Sequence, residues 1–447
     1  MKQSIKIIGF GPIRNVEFEV KNFTVLFGPQ ASGKSTISKC VYFFKSIRDE
    51  IYEMAIESIE NQRKHLTLNF ILKRIGTRLI HLFGPQIKHD NYEISFQYKH
   101  NIQISITNKN GDINNNILFS YELRRELNRI INFVQEYKLR KKSEKNTGNF
   151  KRLLGVFGDR TFLTNLQKQL NDIFNEDREI LYIPAGRSLI AALSSKLNLL
   201  FKLTEQDWNV DYLTKVFSEK ILDTRGYFDQ NLSEIINDKN INISIINQAS
   251  SIINSILGGT YLFEEGKDKL FIENDKFLSL NHASSGQQES IWILYLILYY
   301  LIEEKKSFII IEEPEAHLFP TAQNEILKII SLLINSNDNQ CIVTTHSPYI
   351  LSSLNNLLYG YYLAKEHGQT AYVEELYTQD ILVNPNNLNA LFITRQYVTS
   401  IYDDETKLLS GSLLDEVSEI NNGYYNQLFR KEMEIKYGES EFDDSDL

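Results

Sequence analysis

The chain has 447 residues, 42% of them hydrophobic and 23% charged, as in a globular protein long enough for two or three domains. Its formal net charge of −9 gives the surface as a whole no attraction for nucleic acid, so such a contact needs a local basic patch. Cys40 and Cys341 lack CxxC spacing, which argues against a disulfide framework and a zinc site. The N-terminus is too polar for a signal peptide, and the longest apolar run, 291–302, is too short to span a bilayer. We therefore expect a cytoplasmic protein without membrane contact.

The predicted elements begin with strands and continue with alternating helical and strand patterns. Residues 4–27 have strand patterns that end in the continuous apolar run 23–27, typical of a strand buried on both faces. The elements that follow are helices over 37–47 and 50–85, strands over 92–120 with a turn at Asn110-Gly111, helix over 121–174 interrupted by a basic stretch at 138–152, a short strand and turn over 181–188, and more helix to about residue 255.

The last third of the chain predicts a hairpin and then alternating helices and strands. The elements are a hairpin over 261–280 with turns at Gly266 and at Glu273-Asn-Asp275, a buried helix over 291–302, a strand over 308–311, a helix over 322–333, a strand over 340–345, and a mixed region that ends in an acidic tail, EFDDSDL, expected to be disordered.

A glycine-rich loop follows the first buried strand. Gly28-Pro-Gln-Ala-Ser-Gly-Lys-Ser35 matches GxxxxGK[ST] between a predicted strand and a predicted helix. Glycines let the backbone wrap a phosphate, so that N–H groups at a helix N-terminus point at it. We expect Lys34 to reach the β- and γ-phosphates of a nucleotide and the Ser35 hydroxyl to bind Mg²⁺. The expected nucleotide-binding residues of this loop are Gly28, Pro29, Gln30, Ala31, Ser32, Gly33, Lys34, Ser35 and Thr36.

Two adjacent carboxylates end the buried strand that begins at Phe308. Ionised carboxylates at the end of an apolar strand are costly without a cation or hydrogen bonds, and nucleotide-bound Mg²⁺ supplies that partner. We expect Glu312 to hold Mg²⁺ through water and Glu313 to polarise the attacking water. A solvated loop after a strand is the alternative interpretation.

His346 follows the next buried strand, 340–345, at the sheet edge where open α/β folds place ligand-binding groups. It is expected to donate to the γ-phosphate and to sense hydrolysis. The alternative is a histidine that merely satisfies a local hydrogen bond.

A second small, polar segment, HASSGQQES at 282–290, precedes the buried helix at 291–302. With the glycine-rich loop, the EEPEAH run and the TTHSP run, it completes four motifs in an order that resembles the ABC-type ATPase heads of the SMC-like and overcoming-lysogenization-defect-like group. The resemblance covers roughly residues 1–45 and 260–365, together with the IPAGRS segment at 183–188. It implies an α/β fold, a P-loop NTPase head with an antiparallel β lobe and an inserted helical arm.

The resemblance also implies how the second polar segment acts. In such heads the signature motif of one copy caps the γ-phosphate bound by the P-loop of another, so two chains pair head-to-tail around two ATP molecules with Mg²⁺. The signature residues here are Ser284, Ser285, Gly286 and Gln287. A helix N-cap at Ser284 or Ser285 is an alternative that is compatible with this role.

The sequence departs from the usual pattern of these heads at three positions. Ser285 stands where transporters have glycine, Glu312 stands where an aspartate usually holds magnesium, and Phe319 stands where relatives often have a second histidine. Gln97 is our candidate for the Q-loop glutamine. Arg187 is either a phosphate or interface arginine or a member of a buried structural ion pair.

We expect four segments. They are the N-terminal part of the head with the P-loop (1–45), the rest of the β lobe with the helical insertion (46–258), the C-terminal part of the head (259–375), and an α/β extension with the acidic tail (376–447). The basic stretch of the insertion is either a nucleic-acid or acidic-partner contact or a solvated loop. Its basic residues are Lys138, Arg140, Lys141, Lys142, Lys145, Lys151 and Arg152.

The resemblance suggests three functions for an ATPase of this plan. The first is a sensor or scaffold subunit of an anti-phage system, as in the PARIS and Septu systems, which controls a separately encoded effector such as a nuclease. The second is an SMC-like ATPase that repairs DNA or binds DNA ends. The third is a self-contained nuclease, which the sequence disfavours because the acidic run 402–406 follows no clear apolar strand. A transporter subunit fits the EEPEAH run and the long insertion poorly.

Overall fold

The computed structural model describes residues 2–61, 63–108, 116–144, 151–194, 211–237, 239, 241–273, 276–410 and 427–428, with the backbone alone at 143–144, 151–158 and 273. The helices are α1 (Lys34–Glu60), α2 (Leu68–Phe83), α3 (Tyr121–Glu144), α4 (Lys151–Phe174), α5 (Ser188–Ala192), α6 (Tyr212–Arg225), α7 (Leu232–Ile236), α8 (Ile243–Leu257), α9 (Ser285–Ile302), α10 (Pro320–Asn335), α11 (Pro348–Glu366) and α12 (Thr370–Glu374).

The strands form two larger sheets and two small ones. The central sheet contains β3 (Phe23–Phe27), β7 (Glu179–Ile183), β11 (Ser307–Glu312), β12 (Gln340–Thr345), β13 (Leu388–Ile393) and β14 (Val398–Ser400). The antiparallel lobe contains β1 (Gln3–Phe10), β2 (Ile13–Val20), β4 (Tyr92–Lys99), β5 (Ile102–Asn108) and β6 (Ile117–Phe119). The small sheets contain β8 (Thr260–Glu264), β9 (Lys267–Glu273) and β10 (Lys276–Ser279), and β15 (Tyr402–Asp403) and β16 (Leu408–Leu409).

The central sheet has the order β14-β13-β3-β12-β11-β7, and all its strands are parallel except β14. Strands β3 and β11 are buried along their whole length, as their continuous apolar runs predict for a sheet covered on both faces. Side chains alternate between the faces. Leu26 and Ile310 pack into the core that contains α1, whereas Val25 and Ile309 pack into the core that contains α9. The P-loop helix and the signature helix therefore lie on opposite faces of the central sheet.

The helical insertion is compact. Helices α3 and α4 have 24 residues each, about 36 Å at the usual helical rise, and they pack against each other through stacked rings of Phe133, Tyr137 and Phe162. Apolar side chains of both helices enter the same core as α1 and the antiparallel lobe. The expected helical arm is therefore folded against the head.

Part of the basic stretch is helical instead of interrupting the helix. Helix α3 extends to Glu144, Lys138 donates to the backbone of Asn61 and Lys64, and Lys141 pairs with Asp159 at 2.7 Å. Lys145 lies outside the described residues, as do the side chains of Lys151 and Arg152. Lys138 and Lys141 thus make contacts within the protein itself.

The structure corrects two expected segment boundaries. Strand β13 pairs in parallel with the P-loop strand β3, with Leu391 opposite Leu26, so the head continues beyond residue 375. Strand β7, within the expected insertion 46–258, pairs with β11 at the edge of the same sheet. Strand pairing between distant segments leaves no local signal in the sequence.

The local predictions differ from the structure mainly at helix ends. The helices expected over 37–47 and 50–85 are α1 and α2, since α1 runs on to Glu60 and Thr67 caps the N-terminus of α2. The turns at 110–111 and 274–275 and the acidic tail lie outside the described residues. Within the described ranges, no helix is both long and apolar enough to cross a membrane.

Candidate nucleotide-binding site

Three neighbouring parallel strands bring the predicted motifs to one edge of the central sheet. Phe27, the last residue of β3, pairs with Thr345 of β12, and Glu312 of β11 pairs with Thr344. The P-loop follows β3, Glu312 ends β11 with Glu313 directly after it, and His346 follows β12. The carboxyl ends of parallel strands are where α/β folds bind ligands.

The P-loop is shaped by its two glycines. Gly33 has φ +106° and is the N-cap of α1, and a Cβ there would lie 2.1 Å from Cδ1 of Ile13. A Cβ on Gly28 would lie 2.3 Å from the carbonyl oxygen of Ile393. Both positions therefore require glycine on steric grounds. No side chain caps α1, which leaves its N-terminal N–H groups for an anion.

Lys34 bridges the loop. Its Nζ donates to the carbonyl oxygens of Gly28 at 2.7 Å and Pro29 at 2.8 Å. Burial lowers the pKa of Lys34, and the nearby carboxylates of Glu313, Glu315 and Glu312 partly offset this effect. The lysine therefore lies within electrostatic reach of all three carboxylates. A phosphate in the loop would replace the carbonyls as its partner.

Glu312 fits a cation site. Its side chain is 6% exposed, Oε2 accepts a hydrogen bond from the Ala185 N–H at 3.3 Å, and Oε1 is buried without a partner. A buried carboxylate oxygen without a partner is costly unless a cation or water meets it. Glu312, with the exposed Ser35 hydroxyl at the start of α1, would hold Mg²⁺. In the described part of the chain, no group of three or more His, Cys, Asp and Glu could hold a metal by itself.

Glu313 and His346 form a neighbouring pair. Glu313 has φ +43°, a left-handed conformation that is uncommon for a residue with a side chain. Its N–H donates to the carbonyl oxygen of Thr344 at 2.9 Å. Oε1 lies 3.6 Å from Nδ1 of His346, and both side chains remain partly exposed. These are the positions that a water and a γ-phosphate can reach from solvent.

A third carboxylate, Glu315, links the loop after β11 to the loop after β12. Its side chain is 3% exposed, and Oε1 accepts hydrogen bonds from Oγ1 of Thr345 at 2.5 Å and from the His346 N–H at 3.3 Å. Burial raises the pKa of Glu315, although these hydrogen bonds act against the rise. Our sequence analysis missed this role. The repeated glutamates of the EEPEAH run were its only signal.

Of the two roles considered for Arg187, the structure shows the buried structural one, in which it pairs with Glu289. It is 0% exposed, and its guanidinium donates to the carbonyl oxygens of Pro184, Glu312, Glu313 and Glu289 at 2.6–2.9 Å. Its N–H donates to the Glu289 carboxylate at 3.0 Å. Because Glu289 lies on α9, Arg187 ties the signature helix to the backbone of the two carboxylates. No donor of this buried side chain faces the exterior.

The signature segment begins α9 with a full capping box. Oγ of Ser284 accepts from the Gln287 N–H at 3.4 Å, and Oε1 of Gln287 accepts from the Ser284 N–H at 2.9 Å. A Cβ on Gly286 would lie 2.8 Å from the carbonyl oxygen of His317, so this helix end touches the loop after β11. In the described ranges, no hydrogen bond joins 284–287 to 28–36.

The structure places Gln97 away from the site. Gln97 pairs with Ser4 on β1, whereas Gly11, after the other end of β1, lies next to Thr36 of the P-loop helix. Gly11 lies seven positions after Ser4, which is about 23 Å along an extended strand. The assignment of Gln97 to the Q-loop was therefore wrong. The loop that approaches Glu312 is the one after β7, through Ala185.

Comparison with known proteins shows the family. The family model described as AAA ATPase domain matches residues 1–351. No curated protein matches the sequence.

Among solved structures, an SMC head bound to the C-terminal winged-helix domain of ScpA is 10% identical with a TM-score of 0.39, over 79% of this chain and 91% of that one. The SMC head domain from Thermotoga maritima is 9% identical with a TM-score of 0.35, over 90% and 98%. An SMC head from Pyrococcus furiosus with an extended coiled coil, bound to the C-terminal domain of ScpA, is 14% identical with a TM-score of 0.35, over 79% and 91%. Similarity at this level assigns neither partners nor activity. The family model, however, spans most of the chain, and this protein belongs to the AAA ATPase domain family.

Proposed function

We propose that this protein binds ATP with Mg²⁺ and hydrolyses it in a head-to-tail pair of chains. The observation that carries the proposal is the convergence of Lys34, Glu313 and His346 at one edge of the central sheet. The four motifs contribute the chemistry of nucleotide binding and of water activation, and both are needed for hydrolysis.

The arrangement of the two helices supports the pairing. Helix α1, which carries the P-loop, and helix α9, which carries Ser284, pack into different cores on opposite faces of the sheet. Ser284 is exposed at the N-terminus of α9, and its hydroxyl would exchange the hydrogen bond that it donates to Gln287 for one to a γ-phosphate bound by another copy. Each reaction centre then consists of the P-loop and carboxylates of one chain and the signature of its partner.

The side chains divide the reaction between them. The P-loop N–H groups and Lys34 bind the β- and γ-phosphates, and bound Mg²⁺ would neutralise charge that develops on them. Glu313 orients and polarises the water that attacks the γ-phosphorus. His346 donates a hydrogen bond to the γ-phosphate and thereby reports whether it is present. Glu315 holds the backbone of His346, and Arg187 holds the backbone of Glu313, so both side chains are positioned from behind.

We infer further that the ATPase controls a separately encoded effector in an anti-phage system. The motif resemblance supports this inference. Strands β13 and β14 also support it, because they complete the ATPase sheet and so belong to the ATPase instead of to a nuclease domain. Metal-dependent cleavage of nucleic acid by the purified chain would favour the self-contained nuclease. Salt-sensitive, ATP-stimulated DNA binding without other proteins would favour the SMC-like alternative.

The test of the proposed function compares Glu313→Gln with Lys34→Ala. Glu313→Gln should retain ATP and remain paired, because closure precedes hydrolysis and only water activation is lost. Lys34→Ala should stay unpaired because it binds no nucleotide. Light scattering with ATP and Mg²⁺ measures the molecular mass of each variant. The proposal fails if Glu313→Gln is no more associated than Lys34→Ala.

A further inference from the structure

The turn between β13 and β14, residues 394–397, lies against the P-loop. Nε of Arg395 donates to the carbonyl oxygen of Ala31 at 3.2 Å. The carbonyl oxygen of Arg395 accepts from the N–H of Arg14 at 3.4 Å. Ile393, the last residue of β13 before the turn, packs its carbonyl oxygen against Gly28. A segment more than 360 residues away in sequence thus forms one wall of the phosphate loop.

The strand order shows which part of a nucleotide this wall would meet. Strands β12 and β11 lie on one side of β3 and carry His346 and Glu313, whereas β13 lies on the other side. The γ-phosphate must face Glu313, because that carboxylate polarises the attacking water. A nucleotide held in this way would place its nucleoside end on the side of β13 and its turn.

The chemistry of the turn suits that end of a nucleotide. Arg395 is exposed and uses one of its five N–H donors on Ala31. Among the residues that the structure describes, neither Arg395 nor its neighbour Arg14 forms an ion pair with a carboxylate. A guanidinium binds phosphate oxygens in a planar fork and also stacks on aromatic rings. Because the glycine-rich loop and Lys34 supply the phosphate contacts, the partner that ATP leaves for this arginine is its adenine ring.

We propose that Arg395 binds the nucleoside end of ATP by stacking on the adenine ring. The proposal rests on the proposed function, since it requires ATP in the P-loop. It assigns to the C-terminal turn the part of nucleotide recognition that the glycine-rich loop, which reads phosphates alone, does not supply.

The experiment separates the nucleoside from the phosphates. Wild type, Arg395→Ala and the neighbouring control Gln396→Ala are titrated calorimetrically with ATP and with inorganic triphosphate, both with Mg²⁺. Arg395→Ala should bind ATP about fivefold more weakly, because one exposed stacking contact of a guanidinium on an aromatic ring is lost, and should bind triphosphate as wild type does. Gln396→Ala should bind both ligands as wild type does.

Two results overturn the proposal. One is unchanged ATP affinity in Arg395→Ala. The other is an equal loss for ATP and triphosphate, because the arginine would then only support the loop through Ala31. If Arg395→Ala does not fold, Arg395→Lys is the variant to measure. It keeps the charge but lacks the planar group that stacks on a ring, so its affinity for ATP should fall about threefold while its affinity for triphosphate stays unchanged. An unchanged ratio of the two affinities overturns the proposal. If the wild type does not bind ATP, the proposed function itself is wrong.

Discussion

The two helices whose N-termini are expected to meet ATP begin in different ways. Helix α1 begins after Gly33, which has no side chain and leaves the first N–H groups without a cap. Helix α9 begins after Ser284, whose hydroxyl and backbone form a capping box with Gln287. One helix start is incomplete without a ligand, whereas the other is complete in the single chain.

This difference predicts an order in which the two sites form. An uncapped helix N-terminus inside a glycine loop gains its missing hydrogen bonds when a phosphate arrives. A capped N-terminus gains little from an anion alone, so the signature should act only when a nucleotide is already held by a partner chain. We therefore expect binding at the P-loop to precede pairing, and the following variants test this order.

The largest effect is expected from Lys34→Ala. The variant removes the only P-loop cation that donates to Gly28 and Pro29, and ATP affinity should fall at least about 100-fold because a charge-assisted bond to phosphate is lost. Lys39→Ala, on the same helix and paired with Asp211 at 3.7 Å, is the matched control and should bind ATP as wild type does. Calorimetric titration measures both. Equal affinities would show that the loop does not bind the phosphates as described.

A pair of variants at Ser284 separates capping from pairing. Aspartate is as good an N-cap as serine, so Ser284→Asp should keep its stability, but its charge should repel the partner's γ-phosphate and weaken ATP-dependent pairing about 100-fold. Ser284→Ala should lose about 1 kcal/mol of stability with the cap. Denaturant unfolding and light scattering with ATP give the two quantities. Normal pairing by Ser284→Asp would remove the signature from the ATP interface.

A smaller effect on turnover is expected from Glu315→Gln. Glutamine still accepts from Thr345 but no longer presents a carboxylate to His346. Because the histidine is then held less well, kcat should fall about tenfold while KM stays unchanged, as for other positioning residues. Steady-state ATPase assays measure both constants. A change in KM alone would assign Glu315 to nucleotide binding instead.

The same variant has an expected pH dependence. Burial raises the pKa of Glu315 in the folded protein, so its contribution to stability is present at low pH and is lost as pH rises through the folded pKa. Glu315→Gln removes this loss. The nucleotide-free variant should therefore resist urea better than wild type at pH 8, and the two should converge near pH 4. Parallel curves across this range would contradict the burial argument.

The motifs of the site could be predicted because each is local. A glycine-rich loop between a strand and a helix, or two glutamates after an apolar strand, has its physical cause within a few residues. The capping box at Ser284 was likewise predictable from serine followed three residues later by glutamine. The role of Arg187 stayed open, because burial decides it and burial depends on α9 and β11 together.

The sequence by itself determined that the chain has a glycine-rich P-loop motif, two carboxylates at the end of an apolar strand and a histidine after the next strand, since hydrophobic periodicity and glycine spacing act over short distances. Only the tertiary structure decided that β7 and β13 complete the central sheet, that Glu315 holds the loop of His346, and that Arg395 lies beside Ala31. Strand pairing and burial join residues hundreds of positions apart. Their energy depends on the whole packed core, which no short segment encodes.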